Sequence, residues 1–286
     1  MWILTAILGL IFIVSARYVF VVSDRTGLTA EALANSLLCQ FPSLDIRSET
    51  MVFIDNLDKV GRVEEKINGV YAQTGMKPLV FMTVVDDRIR DRIMACQAVF
   101  YDFFGTFIEP LEKELSMESS HTVGSSHGVR DPIKYTSRIS AVHYSLMTDD
   151  GLETDHYNRA DIIVIGVSRC GKTPTCLYLS LHYGVYAANY PLTTQELDSK
   201  RLPPVLIRHR AKLFGLTIDP FRLLQIRQER YQGDSYSSSS LCQREVAQAE
   251  SIYRVARIPY INTTRMSIEE IGAKLMQRSG LTRSLL

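Results

Sequence analysis

An α/β fold built on parallel sheets is the architecture the sequence predicts, and three observations predict it. Short β-branched apolar runs alternate with helix-length segments along the whole chain. The runs "YVFVVSD", "PLVFMTVV" and "IIVIG" have the pattern of buried strands. A glycine-bounded turn, "GVSRCGKT" over 166–173, stands directly between one such run and a helix.

Composition sets the limits. A chain of 286 residues holds one large domain or two ordinary ones. With 46% hydrophobic and 22% charged residues it is globular in character, with enough apolar material for a sizeable core. Its 32 basic and 31 acidic residues almost cancel. No general field therefore draws nucleic acid or an anionic membrane, and any anion site has to be local. The cysteines at 39, 96, 170, 176 and 242 are odd in number and lack a Cys-x-x-Cys pair. That disfavours a disulfide framework or a zinc site and fits reduced thiols in a cytoplasmic protein.

The first sixteen residues, "MWILTAILGLIFIVSA", are almost wholly apolar. A signal peptide carries a basic n-region, and none precedes Arg17. A membrane span needs about 20 apolar residues, which would bury Arg17. The preferred reading is an apolar extension over 1–16, with the domain's first strand beginning at Arg17.

In the first half, strand 18–24 leads into a helix with Thr29 as N-cap and Glu31 in its first turn. A helix over 64–75 ends at Gly75, and strand 78–85 follows. The segment "DDRIRDRIMACQAVFYDFFGTFIEPLEKEL" reads as helix, and the Ser-, Gly- and His-rich residues 116–131 read as a loop. "KYTSRISAVHYSLMTDDG" is a helix ending near Gly151, and the domain boundary is placed just after it.

In the second half, strand "IIVIG" and helix "TCLYLSLHYG" flank the turn. "VYAANYP" and "KLFGLTIDP" are strands, "FRLLQIRQERYQ" a basic helix and "GDSYSSSS" a loop. Helix "LCQREVAQAESIYRVARIP", strand "YINTT" and helix "SIEEIGAKLMQR", with Ser267 as N-cap and Glu270 at N3, complete it. No internal repeat is visible.

Gly166, Val167, Ser168, Arg169, Cys170, Gly171, Lys172 and Thr173 match G-x-x-x-x-G-K-[ST] at every fixed position. Glycines let successive N–H groups turn toward phosphate oxygens, and the following helix adds its positive end. Lys172 reaches the outer phosphates, and the Thr173 hydroxyl is placed to hold Mg²⁺. The competing reading is a structural glycine turn; the strand before and helix after favour phosphate. Pro174 is tolerated in a first helical turn.

The absence of an N-K-x-D signature disfavours GTP. "LTIDPFRLLQIRQER" resembles the late strand and arginine-bearing lid of small P-loop kinases. Arg222, Arg227 and Arg230 there either neutralise a transferring phosphoryl group or form a solvated basic face. Asp219 either stands near a metal or caps the next helix. The expectation is a Rossmann-like α/β domain over 17–152 followed by a P-loop kinase-like α/β domain over 153–286.

The segments "RYVFVVSDRTGLTAEALANSLLCQFP", "IIVIGVSRCGKTPTCLYLSLHYGVYAANYPL", "KLFGLTIDP" and "YINTTRMSIEEIGAKL" together resemble the bacterial phosphoenolpyruvate synthase regulatory proteins, from Arg17 to about Arg283. The pyruvate, phosphate dikinase regulators share the architecture; the cysteine in "GVSRCGKTPT" and the "KLFGLTIDP" segment lean toward the synthase branch. The resemblance implies a bifunctional enzyme. With ADP it phosphorylates a threonine near the target's catalytic histidine and inactivates it. With inorganic phosphate it removes that group and releases pyrophosphate. The ADP site carries over onto Gly166 through Thr173. Phosphoenolpyruvate synthase is the implied partner, and a homo-oligomer is left open.

Candidates for acid–base work are Asp149 and Asp150 in "TDDG", with Asp24 at a strand end; each is also an ordinary cap or loop acid. His121 and His127 share the 116–131 loop, where a solvated role is the plainer reading. The competing functions are a small-molecule P-loop kinase and a non-catalytic nucleotide sensor, with a redox role for Cys170 ranked below them.

Overall fold

The computed structural model describes residues 16–120, 132–230 and 238–281. The chain forms two compact units, Met1–Gly128 and Val129–Leu286.

The first unit runs β1 (Arg17–Ser23), α1 (Leu28–Leu38), β2 (Ile46–Met51), α2 (Leu57–Thr74), β3 (Leu79–Thr83), α3 (Asp87–Met94), β4 (Val99–Asp102) and α4 (Phe103–Leu115). Its four strands are parallel in the order β2-β1-β3-β4. Side chains alternate across a strand. Val19 and Val21 therefore pack with Ala30, Ala34 and Phe81 on one face. Phe20 and Val22 meet Val60, Val63, Ile67 and Met82 on the other. Burial on both faces explains the uninterrupted apolar run of β1.

Several local expectations shift. The N-cap of α1 is Gly27, at φ 76°, and no side chain caps the helix, so Thr29 lies inside it. Helix α2 ends at Gly75 as expected but starts at Leu57, where the Asn56 side chain accepts from the Lys59 amide. The segment 86–115, read as helix, is two helices with β4 between them. Strand β2, "IRSETM", has four exposed residues and shows no apolar run; its pairing with β1 makes it a strand.

The second unit contains α5 (Pro132–Met147), β5 (Ile162–Gly166), α6 (Lys172–Tyr183), β6 (Ala187–Pro191), α7 (Thr194–Ser199), α8 (Pro204–Ile207), β7 (Leu213–Thr217), α9 (Pro220–Arg230), α10 (Ser239–Ala256), β8 (Tyr260–Asn262) and α11 (Ile268–Ser279). Its parallel sheet has the order β6-β5-β7-β8. Ile162, Ile163, Val164 and Ile165 are all buried. Gly215 lets Tyr253 of α10 lie on the sheet, since a Cβ there would come within 2.9 Å of the tyrosine ring.

Helix α5 belongs to this second unit, so the division falls in the 116–131 stretch rather than after Gly151. The physical reason is its buried face. Ser145 Oγ donates to the Ala187 carbonyl of β6 and shares a 2.7 Å hydrogen bond with Ser180 of α6. No described helix is long and apolar enough to cross a membrane. Residues 1–15 of the 1–16 extension lie outside the described ones.

Asp24, directly after β1, is 4% exposed, and its Oδ2 accepts from the Val85 amide at 2.8 Å. Burial raises its pKa against the lowering effects of that amide and of Arg25. The native carboxyl then holds its proton more tightly than the unfolded one. Ionising it costs stability as pH rises through the raised value, and the cost vanishes below the ordinary Asp range near about pH 4. Asp24→Asn keeps an acceptor for Val85. The variant is expected to be more stable than the parent at neutral pH, with the advantage shrinking on acidification. Urea denaturation of both proteins at pH 7 and pH 4.5 checks this; an unchanged difference would reject it.

Candidate functional site

The site is built where β5 ends. Gly166 closes the strand in a tight place: a Cβ there would lie 2.7 Å from Cys170 Sγ and 2.8 Å from the Leu216 carbonyl. The chain then turns through left-handed backbone at Arg169 (φ 75°) and Gly171 (φ 102°). Gly171 is the N-cap of α6, and no side chain caps that helix. The first-turn amides of Lys172 and Thr173 therefore have no intrahelical acceptor. Pro174, third in the helix, has no N–H to leave unsatisfied.

Lys172 is 4% exposed, and its ammonium donates to the Val167 carbonyl at 3.1 Å. An ammonium carries three protons, and a carbonyl does not neutralise its charge. A nearly buried cation bonded to a carbonyl favours an anion beside it. With the uncapped helix end, this arrangement fits a phosphate chain.

Thr173 Oγ1 donates to Asp149 Oδ1 at 2.8 Å. The same carboxylate oxygen accepts from the side-chain amide of Asn189. Asn189 is fully buried in β6, and its own oxygen accepts from the Asp150 amide at 3.1 Å. The structure thus brings Asp149 onto the loop through its side chain. Asp150 joins through its backbone, at φ 48°, with an exposed side chain. Mg²⁺ is ordinarily held by one or two protein groups plus phosphate and water, and the Thr173–Asp149 pair suits that pattern. Among the described residues, no group of three or more His, Cys, Asp or Glu could hold a metal.

Other sequence candidates fall elsewhere. Arg227 does not lie on a solvated face or a lid. It is 1% exposed, pairs with Glu245 Oε2 at 2.6 Å, and donates to the Ser168 carbonyl at 3.2 Å. It braces the loop from beneath. Arg222 is exposed and donates to Gln225. The side chain of Arg230 and residues His121 and His127 lie outside the described ones. Asp219 caps α9, accepting from the amides of Phe221 and Arg222. Cys170 is buried, and burial pushes its thiol pKa up, which suppresses the thiolate a redox role needs.

Three supporting groups escaped sequence reasoning: Asn189, Glu245 and Thr263. Thr263 Oγ1 donates to the Cys170 carbonyl at 3.1 Å from 93 residues away. No local pattern marks such partners.

The family described as Kinase/pyrophosphorylase matches residues 19–276. The chain belongs to that family. A protein of Alkalilimnicola ehrlichii named "Putative phosphoenolpyruvate synthase regulatory protein" is 51% identical over 269 residues, spanning 94% of this chain and 98% of that protein. A protein of the same name from Legionella pneumophila strain Corby is 49% identical, spanning 94% of this chain and 99% of its own. Another, from Marinobacter nauticus, is 47% identical over 267 residues, spanning 93% and 98%. The Kinase/pyrophosphorylase family places the chain among phosphotransfer enzymes, and its match covers both units.

The Arg227–Glu245 brace has a measurable consequence. Arg227→Met leaves Glu245 buried without its partner and is expected to cost about 3–5 kcal/mol of stability. Pairing it with Glu245→Met removes the stranded charge and should restore most of that loss. Chemical denaturation of the two variants checks the order; equal losses in both would reject it.

Proposed function

We propose that the chain is a bifunctional regulator of phosphoenolpyruvate synthase. In one direction it transfers the β-phosphoryl group of ADP to a threonine near the synthase's catalytic histidine, inactivating that enzyme. The bond between the bridging oxygen and the β-phosphorus breaks, a bond from the threonine oxygen forms, AMP leaves and the hydroxyl proton is released. In the other direction inorganic phosphate attacks the phosphothreonine. Threonine is restored and pyrophosphate departs. The names of the relatives support the target, and the resemblance supports the chemistry.

The observation that carries this reading is the nearly buried Lys172 ammonium beside the uncapped start of α6. The amides there and Lys172 hold two linked phosphates and meet the charge that develops on the oxygens as the bond breaks. The Thr173 hydroxyl and Asp149 would hold Mg²⁺, which supplies charge neutralisation on those oxygens. In this role Asp149 is already oriented, since the Thr173 hydroxyl and the Asn189 amide both donate to one of its oxygens. Asp150, exposed beside it, is the carboxylate available to accept the threonine proton. One cradle serves both directions, because ADP and pyrophosphate share the same diphosphate. All five cysteines are free thiols, which fits the cytoplasm, where we place the protein.

Incubation with the cognate synthase and β-labelled ADP, followed by mapping of the label, tests the reading. Label on a synthase threonine is expected. Label on a metabolite, or on pyruvate, phosphate dikinase in preference to the synthase, would overturn it. Lys172→Met is expected to lower both activities by on the order of 10²–10³-fold, as loss of a charge-stabilising donor does. Phosphate-dependent reactivation that survives in this variant would mean that the two directions use separate sites.

A further inference from the structure

A cleft of about 600 Å³ opens at the carboxyl ends of β7 and β8. Asp219, Phe221, Arg222, Asn262, Arg265 and Met266 line it. We propose that this cleft is the nucleoside subsite, taking the base and ribose of a nucleoside diphosphate whose phosphates lie on residues 166–173. The inference rests on the diphosphate reading above and adds the second half of the ligand.

Its place in the sheet is the first argument. In a parallel α/β sheet, ligands lie across the carboxyl ends of the strands. Strands β7 and β8 are the first and second neighbours of β5 on one side. At the usual strand spacing they stand about 5 and 10 Å from it. Thr263 joins the two places directly, since its hydroxyl shares its one proton between the Cys170 carbonyl in the loop and the Thr217 carbonyl at the end of β7.

The cleft's chemistry is the second. Phe221 is 66% exposed at the start of α9, a large ring turned to water beside two guanidinium groups. Aromatic rings and guanidinium planes are the surfaces on which a base stacks. The Asn262 side-chain oxygen is held by the amide and hydroxyl of Thr264, which orients its NH₂ as a donor. Thr264 in turn accepts from the Asp219 amide at 2.8 Å, so the floor is fixed. Asp219 spends Oδ1 on capping α9, leaving Oδ2 able to accept from a ribose hydroxyl.

Binding of ADP and of inorganic pyrophosphate to the full chain, by titration calorimetry with Mg²⁺, is the test. The wild type should bind ADP more tightly than pyrophosphate. Phe221→Ala should weaken ADP by about 10-fold or more, the scale of one lost base stack. Pyrophosphate affinity should hold within twofold, and Phe221→Trp should retain ADP affinity. Unchanged ADP affinity in Phe221→Ala would overturn the subsite, and so would equal losses for both ligands. Lys172→Met separates the two claims. If it binds pyrophosphate as well as the wild type does, the loop reading fails; if it loses both ligands, the loop reading stands and the Phe221 result decides the subsite.

Discussion

Everything at the site depends on how the peptide planes of the 166–173 turn are fixed. The carbonyl of Ile165 accepts from Tyr253, that of Gly166 from the Leu192 amide, and that of Val167 from Lys172. Ser168 is held by Arg227, Cys170 by Thr263 and Gly171 by Thr175. A peptide is planar, so fixing a carbonyl also fixes the next residue's N–H on the opposite side. The donors come from α6, α9, α10, the β6 end and the β8 end. The turn is preorganised by the whole unit rather than by its own eight residues. Preorganised dipoles need no rearrangement when charge appears, which is the condition for effective electrostatic stabilisation.

That dependence explains what was legible in the sequence. The turn itself was legible, because its constraints are local: Gly166 for close approach, Gly171 for a left-handed backbone, a helix start behind them. Strands β1, β3, β5 and β7 were legible because both faces are buried and the apolar run shows it. Edge strands β2 and β4 were not, since half or more of their residues face water and pairing with a neighbour makes them strands. Helix α5 was legible as a helix but not as part of the second unit. Its allegiance is set by Ser145 reaching β6, a contact across 42 residues. Arg227 read either as a lid arginine or as part of a solvated basic face because its helix is basic; its partner Glu245, 18 residues on, carries no local signal that it is buried.

The two units share a strand order, β2-β1-β3-β4 and β6-β5-β7-β8, although no repeat is visible in the sequence. Each begins in the middle of its sheet, adds a strand on one side, then crosses to the other, so the equivalent edge lies after β1 and after β5. Helices α1 and α6, which follow these strands, both start at a left-handed glycine with no side-chain cap. The chemistry placed there is opposite in sign. After β1 stands a buried carboxylate, Asp24, already satisfied by the Val85 amide. After β5 stands a nearly buried ammonium, Lys172, bonded to a carbonyl. Topology supplies the edge, and the residue type at the turn decides which charge the edge accepts.

The contrast between the two cations under the loop carries the same logic one step further. Arg227 has a carboxylate within 2.6 Å, so its charge is largely spent on holding Ser168 and α10 in place. Lys172 donates to a carbonyl and keeps its charge for whatever arrives. A guanidinium is suited to the first task, since its planar fork reaches a carboxylate and a carbonyl together. An ammonium on a flexible stem is suited to the second, since it can leave Val167 and follow a phosphate oxygen. The division of labour also accounts for how one cradle takes different partners on the proposed reading. Its frame is rigid, while the Lys172 ammonium recognises phosphate oxygens and nothing specific to the nucleoside. Discrimination between ADP and inorganic phosphate then has to come from outside residues 166–173, along the carboxyl edge of the sheet.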